Sequence, residues 1–198
     1  MTHMTAGILS GLLLLAWSGG ALAQTQDGER FVSGQKGTYR GRVLDAETWK
    51  PLAGVVVVAV WRRERVMPLG GRSEHYAARE ALTDENGDFV LEGKDVERSA
   101  PKRTRRPFFM VFSPGYGRAR PIAGTPDTPP YGFYEGAGHT VELPKLKTRE
   151  ERREYVATMG PYSLSEEPFN EIPEFMRLVN QESVAVGLQP YPSSGRQP

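Results

Sequence analysis

The stretch ALTDENGDFVLEG, residues 81–93, decides between two descriptions of this chain. Asp84 and the polar residues at alternate positions after it could be a calcium loop, but an EF-hand loop needs glycine at its sixth position and a bidentate glutamate at its twelfth. Counted from Asp84, Phe89 holds the sixth position and Asp95 the twelfth. An Asn-Gly pair ending at Gly87 is instead a strong hairpin signal, because glycine tolerates positive φ. The stretch therefore predicts a tight turn between two strands.

Short segments typical of strands lie on both sides of this turn. Glycine (22 residues) and proline (16) are frequent, which favours a fold with many turns. Short β-branched or alternating segments separated by such turns indicate an antiparallel β-sandwich. The segments are TYRGRVLD (38–45), VVVVAVW (55–61), FFMVFSPGYG (108–117) and HTVELPKL (139–146).

The run VVVVAV, residues 55–60, is apolar at every position. A sandwich strand with one face in water would alternate, so a second element should cover the outer face of this strand. Thr148 and Glu151 form a capping-box pattern that predicts a helix over residues 149–159. Apolar residues at helical spacing predict a second helix over 172–186. We expect this C-terminal helix to be the cover, with a partner protein as the alternative.

The N-terminus is typical of an export signal. Residues 6–17 form a short apolar core, and Ala-Leu-Ala at 21–23 fits cleavage before Gln24. The chain has no cysteine, so disulfides are not expected. Its net charge of +1 points neither to a nucleic-acid partner nor to an anionic membrane. The expected product is periplasmic or secreted, with no stable membrane insertion after cleavage. The predicted divisions are a signal peptide (1–23), a flexible lead-in (24–36), a β-sandwich (37–146), a helical tail (147–187) and a disordered C-terminus (188–198).

Two segments interrupt the strand pattern and are candidate binding surfaces. Residues 62–80 form a long connection, with Gly70-Gly71 as the expected tip of a hairpin. Residues 94–107 hold six basic and two acidic residues, which predicts either a solvated loop or a docking patch for an acidic partner. The candidate binding residues of this loop are Arg103, Arg105 and Arg106.

The loop PPYGFYEGAG, residues 129–138, is rich in aromatic residues. Tyr131, Phe133 and Tyr134 could stack on a sugar or a peptide, or the loop could pack against the sandwich edge. His139 and Glu142 have a spacing found in zinc enzymes, but a zinc site needs further ligands and only one other histidine follows the signal. No catalytic residue, metal ligand or cofactor is therefore predicted.

Three groups of turn and core residues form a recognisable pattern: Gly41, Val43, Asp45, Thr48, Pro51, Leu52, Gly54 and Val57, then Thr83, Asp84, Gly87 and Phe89, then Gly115 and Tyr116. On these residues the chain resembles the carboxypeptidase regulatory-like domain family over residues 37–146. The resemblance implies an all-β, seven-stranded Greek-key sandwich of the transthyretin-like (prealbumin-like) type, here with a C-terminal helical appendage. It also implies a non-catalytic structural or binding module, as such domains generally are.

Two enzyme families of similar architecture match less well. Intradiol dioxygenases hold iron with two tyrosines and two histidines, and no His-x-His follows these strands. Hydroxyisourate hydrolases end in Tyr-Arg-Gly-Ser, whereas the related residues 39–42 lie at the other end and lack the serine. The predicted function is a non-catalytic exported module that binds an envelope protein or a cell-wall or surface polysaccharide. A carbohydrate-binding module is the alternative, and a metal-dependent hydrolase or dioxygenase is a remote one.

Overall fold

The computed structural model describes residues 37–68, 70–121, 138–159 and 170–191. Strands dominate the described residues up to Leu143, and two longer helices follow them. The elements are β1 (Thr38–Asp45), β2 (Val56–Met67), β3 (Gly70–Leu82), β4 (Asp88–Glu92), α1 (Lys94–Ser99), β5 (Phe108–Phe112), β6 (Arg120–Pro121), β7 (Gly138–Leu143), α2 (Arg149–Thr158) and α3 (Pro173–Ala185).

The seven strands of the described residues form two sheets. One has four strands in the order β4-β1-β7-β6, and the other has three in the order β3-β2-β5. β1 pairs antiparallel with β4 and parallel with β7, so the first sheet is mixed. Side chains of both sheets meet in one buried cluster that includes Val43, Trp61 and Leu91. The predicted β-rich architecture is therefore confirmed, but the predicted antiparallel pairing is wrong for β1 and β7, which run parallel.

The stretch that opened the sequence analysis forms a turn, as predicted, but it does not close a hairpin. One carboxylate oxygen of Asp84 accepts the N–H groups of Asn86 and Asp88, both at 2.9 Å, and Gly87 has φ of +73°. β3 pairs with β2, whereas β4 pairs with β1. The chain therefore crosses from one sheet to the other at this turn. The local sequence encodes the tight bend, but strand pairing depends on partners far along the chain.

The apolar first half of β2 is buried on both faces. Val57 and Ala59 point into the cluster between the sheets, and Val56 and Val58 point to the opposite side. On that side they pack in a second buried cluster with residues of α3, including Phe175 and others of its apolar stripe. The prediction that a C-terminal helix covers this strand is confirmed.

Side chains at the helix ends explain why α2 and α3 begin where they do. Thr148 and Glu151 form the predicted capping box, each accepting from the other's backbone N–H at 3.1 Å. The carboxylate of Glu80 on β3 accepts the N–H groups of Glu174 and Phe175, both at 2.8 Å. It therefore satisfies donors that the first turn of α3 leaves unpaired. Both helices match their predicted bounds within one residue.

An ion pair between a half-buried arginine and a buried glutamate joins the two helices. Glu182 of α3 accepts two hydrogen bonds from Arg152 of α2, each at 2.7 Å, and one from the N–H of Gly115 at 3.2 Å. The Glu182 carboxylate is buried, and these hydrogen bonds provide the partners that a buried polar group needs. The pair fixes α2, α3 and the turn after β5 in one layer over the three-stranded sheet.

The predicted disorder of the C-terminus does not begin at residue 188. Leu188 and Tyr191 pack against the cluster beneath α3, and Tyr191 exchanges backbone hydrogen bonds with the side chain of Asn180 at 2.7 and 3.0 Å. The polar sequence of this tail gives no sign of these contacts, because they depend on the position of α3. Residues 192–198, like the predicted signal and lead-in at 1–36, lie outside the described residues.

Candidate docking surface

β2 and β3 extend beyond the body of the protein as a two-stranded ribbon, formed by residues 62–67 and 70–75. β5 pairs with β2 only from Val56 to Val60, so no third strand of the described residues lies beside the extension, where Arg63 forms an isolated antiparallel bridge with Thr104. A hairpin forms here as predicted, but its turn lies between Met67 and Gly70, and Gly70-Gly71 are paired residues of β3 instead of the tip. The segment 62–80 is not a connection between strands, because β2 continues to Met67 and β3 begins at Gly70. Consecutive charged residues and a glycine pair hide these strand segments, because the usual signal for a strand is alternating hydrophobicity.

A register shift marks the base of the ribbon. Trp61 pairs with Ala77, but the next residue, Arg62, pairs with His75, so Tyr76 is an extra residue on β3. Such a β-bulge changes which face the following side chains occupy and increases the local twist. Tyr76 packs against the cluster between the sheets. The bulge thus separates a buried strand segment from an exposed one.

The basic segment 94–107, predicted as a loop throughout, begins with helix α1 and becomes a loop only after Ser99. Sequence reasoning missed α1 because it is six residues long and has no side-chain cap. The loop then runs along β2. Glu64 N–H donates to the Arg103 carbonyl at 3.1 Å, and Arg105 N–H donates to the Arg62 carbonyl at 2.8 Å. Arg105 also forms an ion pair with Glu64.

Contacts of α1 hold the start of this loop. Glu97 accepts hydrogen bonds from the Tyr39 hydroxyl and, at 3.4 Å, from the Trp61 indole. Arg79 of β3 donates to Asp95 at 2.6 Å, and this hydrogen bond lowers the pKa of the Asp95 carboxyl. The ribbon base and the loop are therefore anchored to the same short helix.

Ribbon and loop together form one strongly basic surface, which we define as residues 62–74 and 101–107. These residues include eight arginines and lysines and two glutamates, a net charge of +6. The whole chain has 25 basic and 24 acidic residues, so the remainder has 17 and 22, a net charge of −5. The charge of this chain is thus divided between one basic surface and an acidic remainder. A local potential of this kind attracts anionic partners.

The glutamates of the basic surface neutralise only part of it. Glu74 lies 3.3 Å from Arg63 and 3.4 Å from Arg65, and Glu64 pairs with Arg105. Four further cations have exposed side chains and no carboxylate partner within the described part of the chain: Arg72, Lys102, Arg103 and Arg106. Two of the three predicted arginines, Arg103 and Arg106, therefore present open charges, and Arg105 secures the loop to the ribbon.

The other residues with predicted chemistry do not join this surface. His75 is buried at the ribbon base, where its Nε2 lies 3.0 Å from a carboxylate oxygen of Glu171; the other oxygen accepts the Ala78 N–H at 2.6 Å. His139 is part of β7, described by its backbone only. The aromatic loop residues Tyr131, Phe133 and Tyr134 lie outside the described residues.

Two properties of the described residues bear on chemistry and location. They contain no group of three His, Asp or Glu side chains close enough together to hold a metal ion. None of their helices is long and apolar enough to cross a membrane.

Comparisons with known proteins leave the family of this chain open. No family model matches the sequence, and no curated protein matches it. Among solved structures, a 9R-lipoxygenase from Cyanothece PCC8801 is similar with a TM-score of 0.24 and 14% sequence identity. The match covers 76% of this chain and 24% of the lipoxygenase, so the chain spans about a quarter of that enzyme's length. A likeness of this degree carries no inference about fold or activity.

Proposed function

We propose that this protein is a non-catalytic binding module of the cell envelope that docks an anionic partner through its basic surface. The observation that carries the proposal is the joining of two separate sequence segments into one surface of net charge +6. Packing of the hydrophobic core does not require these charges. Neighbouring arginines also repel one another, so their clustering is unfavourable without an anionic partner. Charge complementarity accelerates association and selects the partner.

The sandwich itself is proposed to be a carboxypeptidase regulatory-like domain with the transthyretin-like Greek key. Its two sheets of four and three strands support this assignment, as do the positive φ angles of Gly54 and Gly115 among the residues that carry the resemblance. The signal-like N-terminus supports export to the periplasm or beyond. An envelope protein and a surface polysaccharide are the partners proposed from the sequence.

In-cell crosslinking followed by mass spectrometry tests the docking surface. The variant R103S/R105S/R106S removes three positive charges from the basic surface, so partner capture should fall about tenfold or more. A matched control, R40S/R118S/R153S, removes three exposed arginines from elsewhere and should capture normally. Raised salt should weaken capture by the unaltered protein. Equal capture by both variants would contradict the proposal.

A further inference from the structure

The end of the ribbon is apolar as well as exposed. Val66 is 66% exposed and Met67 is 49% exposed, and Pro68 follows them in the turn. We call these three residues the tip. The other large exposed hydrophobic residues of the described chain are single residues on separate elements: Trp49, Leu82, Val90 and Val184. Isolated exposed apolar residues are normal, but Val66 and Met67 follow each other on β2 and so lie on opposite faces of the ribbon, which makes its end apolar on both faces.

Positive charges lie directly behind the tip. Arg65 and Arg72 are cross-strand partners in the β2–β3 register. Like charges opposite each other on antiparallel strands are unfavourable. Among the described residues, Arg65 pairs with Glu74, which also contacts Arg63, and Arg72 has no carboxylate partner. An anion bound between Arg65 and Arg72 would remove this repulsion. The order from the end of the ribbon is therefore apolar, then cationic.

This order fits the surface of an anionic lipid bilayer. Peripheral elements of this kind place apolar side chains at the headgroup–acyl boundary and keep arginines at the level of the phosphates. An acidic protein or polysaccharide would account for the arginines but not for the exposed Val66 and Met67. We therefore propose that the tip enters an anionic bilayer, with Arg65 and Arg72 at its phosphates. This inference rests on the proposed function, since it names the partner of the same basic surface.

The length of the ribbon is sufficient for this contact. Six residues of each strand extend it by about 20 Å from the β-bulge. Insertion of side chains to a depth of about 5–10 Å leaves the sandwich outside the headgroups. The loop cations Arg103 and Arg106 would then add attraction from a greater distance, which decreases over the Debye length.

A fluorescent label at the tip tests the inference directly. Because the chain has no cysteine, M67C carries an environment-sensitive dye at one site only, and V90C provides a control site. Purified protein is mixed with vesicles of phosphatidylcholine alone or with one quarter phosphatidylglycerol. Residues 6–17 are the same in both proteins, so any lipid contact of their own cannot distinguish the two labels. We expect increased emission from residue 67, with phosphatidylglycerol only, and no change from residue 90.

Affinity measurements complete the test. V66S/M67S should bind the anionic vesicles about tenfold or more weakly than V90S/V184S, which removes two apolar side chains of similar exposure, 46% and 61%, from other surfaces. Equal affinity, or an unchanged signal from residue 67, would overturn the inference. So would a change in solution mass in V66S/M67S, because the tip would then be a contact between copies of this chain.

The same variants distinguish the inference from the proposed function. If crosslinking depends on Arg103, Arg105 and Arg106 but the dye at residue 67 gives no signal with vesicles, lipid insertion alone is overturned. The basic surface would then dock an acidic protein or polysaccharide. If partner crosslinking does not depend on the three arginines and vesicle binding does not depend on Val66 and Met67, both proposals are overturned.

Discussion

Substitution of Phe175 by alanine should strongly destabilise the protein, because this side chain connects α3 to the three-stranded sheet. Phe175 is fully buried, and its ring meets that of Phe112 edge-on with centroids 5.9 Å apart. Removing a buried phenylalanine typically costs about 3–5 kcal/mol, which includes the lost transfer free energy and the cavity that remains. We expect a loss in this range, a large part of the roughly 5–15 kcal/mol that stabilises a typical domain.

Urea unfolding of the full chain, followed by far-ultraviolet circular dichroism, measures this loss. V184A on the same helix is the control, because Val184 is 61% exposed and its substitution should change the free energy of unfolding by less than about 0.5 kcal/mol. If α2 and α3 unfold before the sandwich, the loss should occur in the first transition. A loss below about 1 kcal/mol in F175A would refute the role of α3 as the cover of β2.

Two further predictions concern the turns beside the sandwich. The Asp45 carboxylate accepts N–H groups of Thr48 and then Glu47, which lower its pKa below the ordinary 3.8. Because the pKa of Asp45 is lower in the folded than in the unfolded protein, its carboxylate stabilises the fold fully above the unfolded pKa, and this stabilisation is lost as pH falls through the folded pKa. D45N should therefore flatten the loss of stability that occurs in acid below about pH 4. An unchanged profile of unfolding free energy against pH would contradict this. G87A and G54A both place alanine at positive φ, +73° and +71°, but only at 87 would the Cβ approach backbone, 2.5 Å from a carbonyl oxygen. Thermal unfolding should show G87A less stable than G54A by about 1–3 kcal/mol, and equal stabilities would refute this account.

Sequence patterns predicted those parts of the fold that local chemistry determines. The continuous apolar run at 55–60 required burial on both faces, and α3 provides it. The capping box gave the start of α2, and the polar turn at Asp84 gave a bend. Each of these features depends on residues within a few positions or on the simple need to bury apolar area.

Features that depend on distant partners were not accessible in this way. The 81–93 stretch crosses between the sheets because β3 pairs with β2 whereas β4 pairs with β1, and these partners lie elsewhere in the chain. The strands of the ribbon carry consecutive charged residues and lack the apolar alternation that identifies a strand. The site was predictable in composition but not in shape. Basic residues of the 94–107 segment were evident, whereas their position beside Arg62 and Glu64 follows from backbone hydrogen bonds between segments about 40 residues apart.

The strand that the ribbon continues is held on both faces. Residues 56–60 of β2 are buried by the opposing sheet on one face and by α3 on the other, so a rotation of this strand would disrupt both clusters. The loop from α1 adds hydrogen bonds on one side, at Arg62 and Glu64. A binding element held in this way has less conformational entropy to lose when it meets a partner. The two-sided burial of β2 therefore has a consequence for binding as well as for stability, because it orients the tip and its arginines before contact.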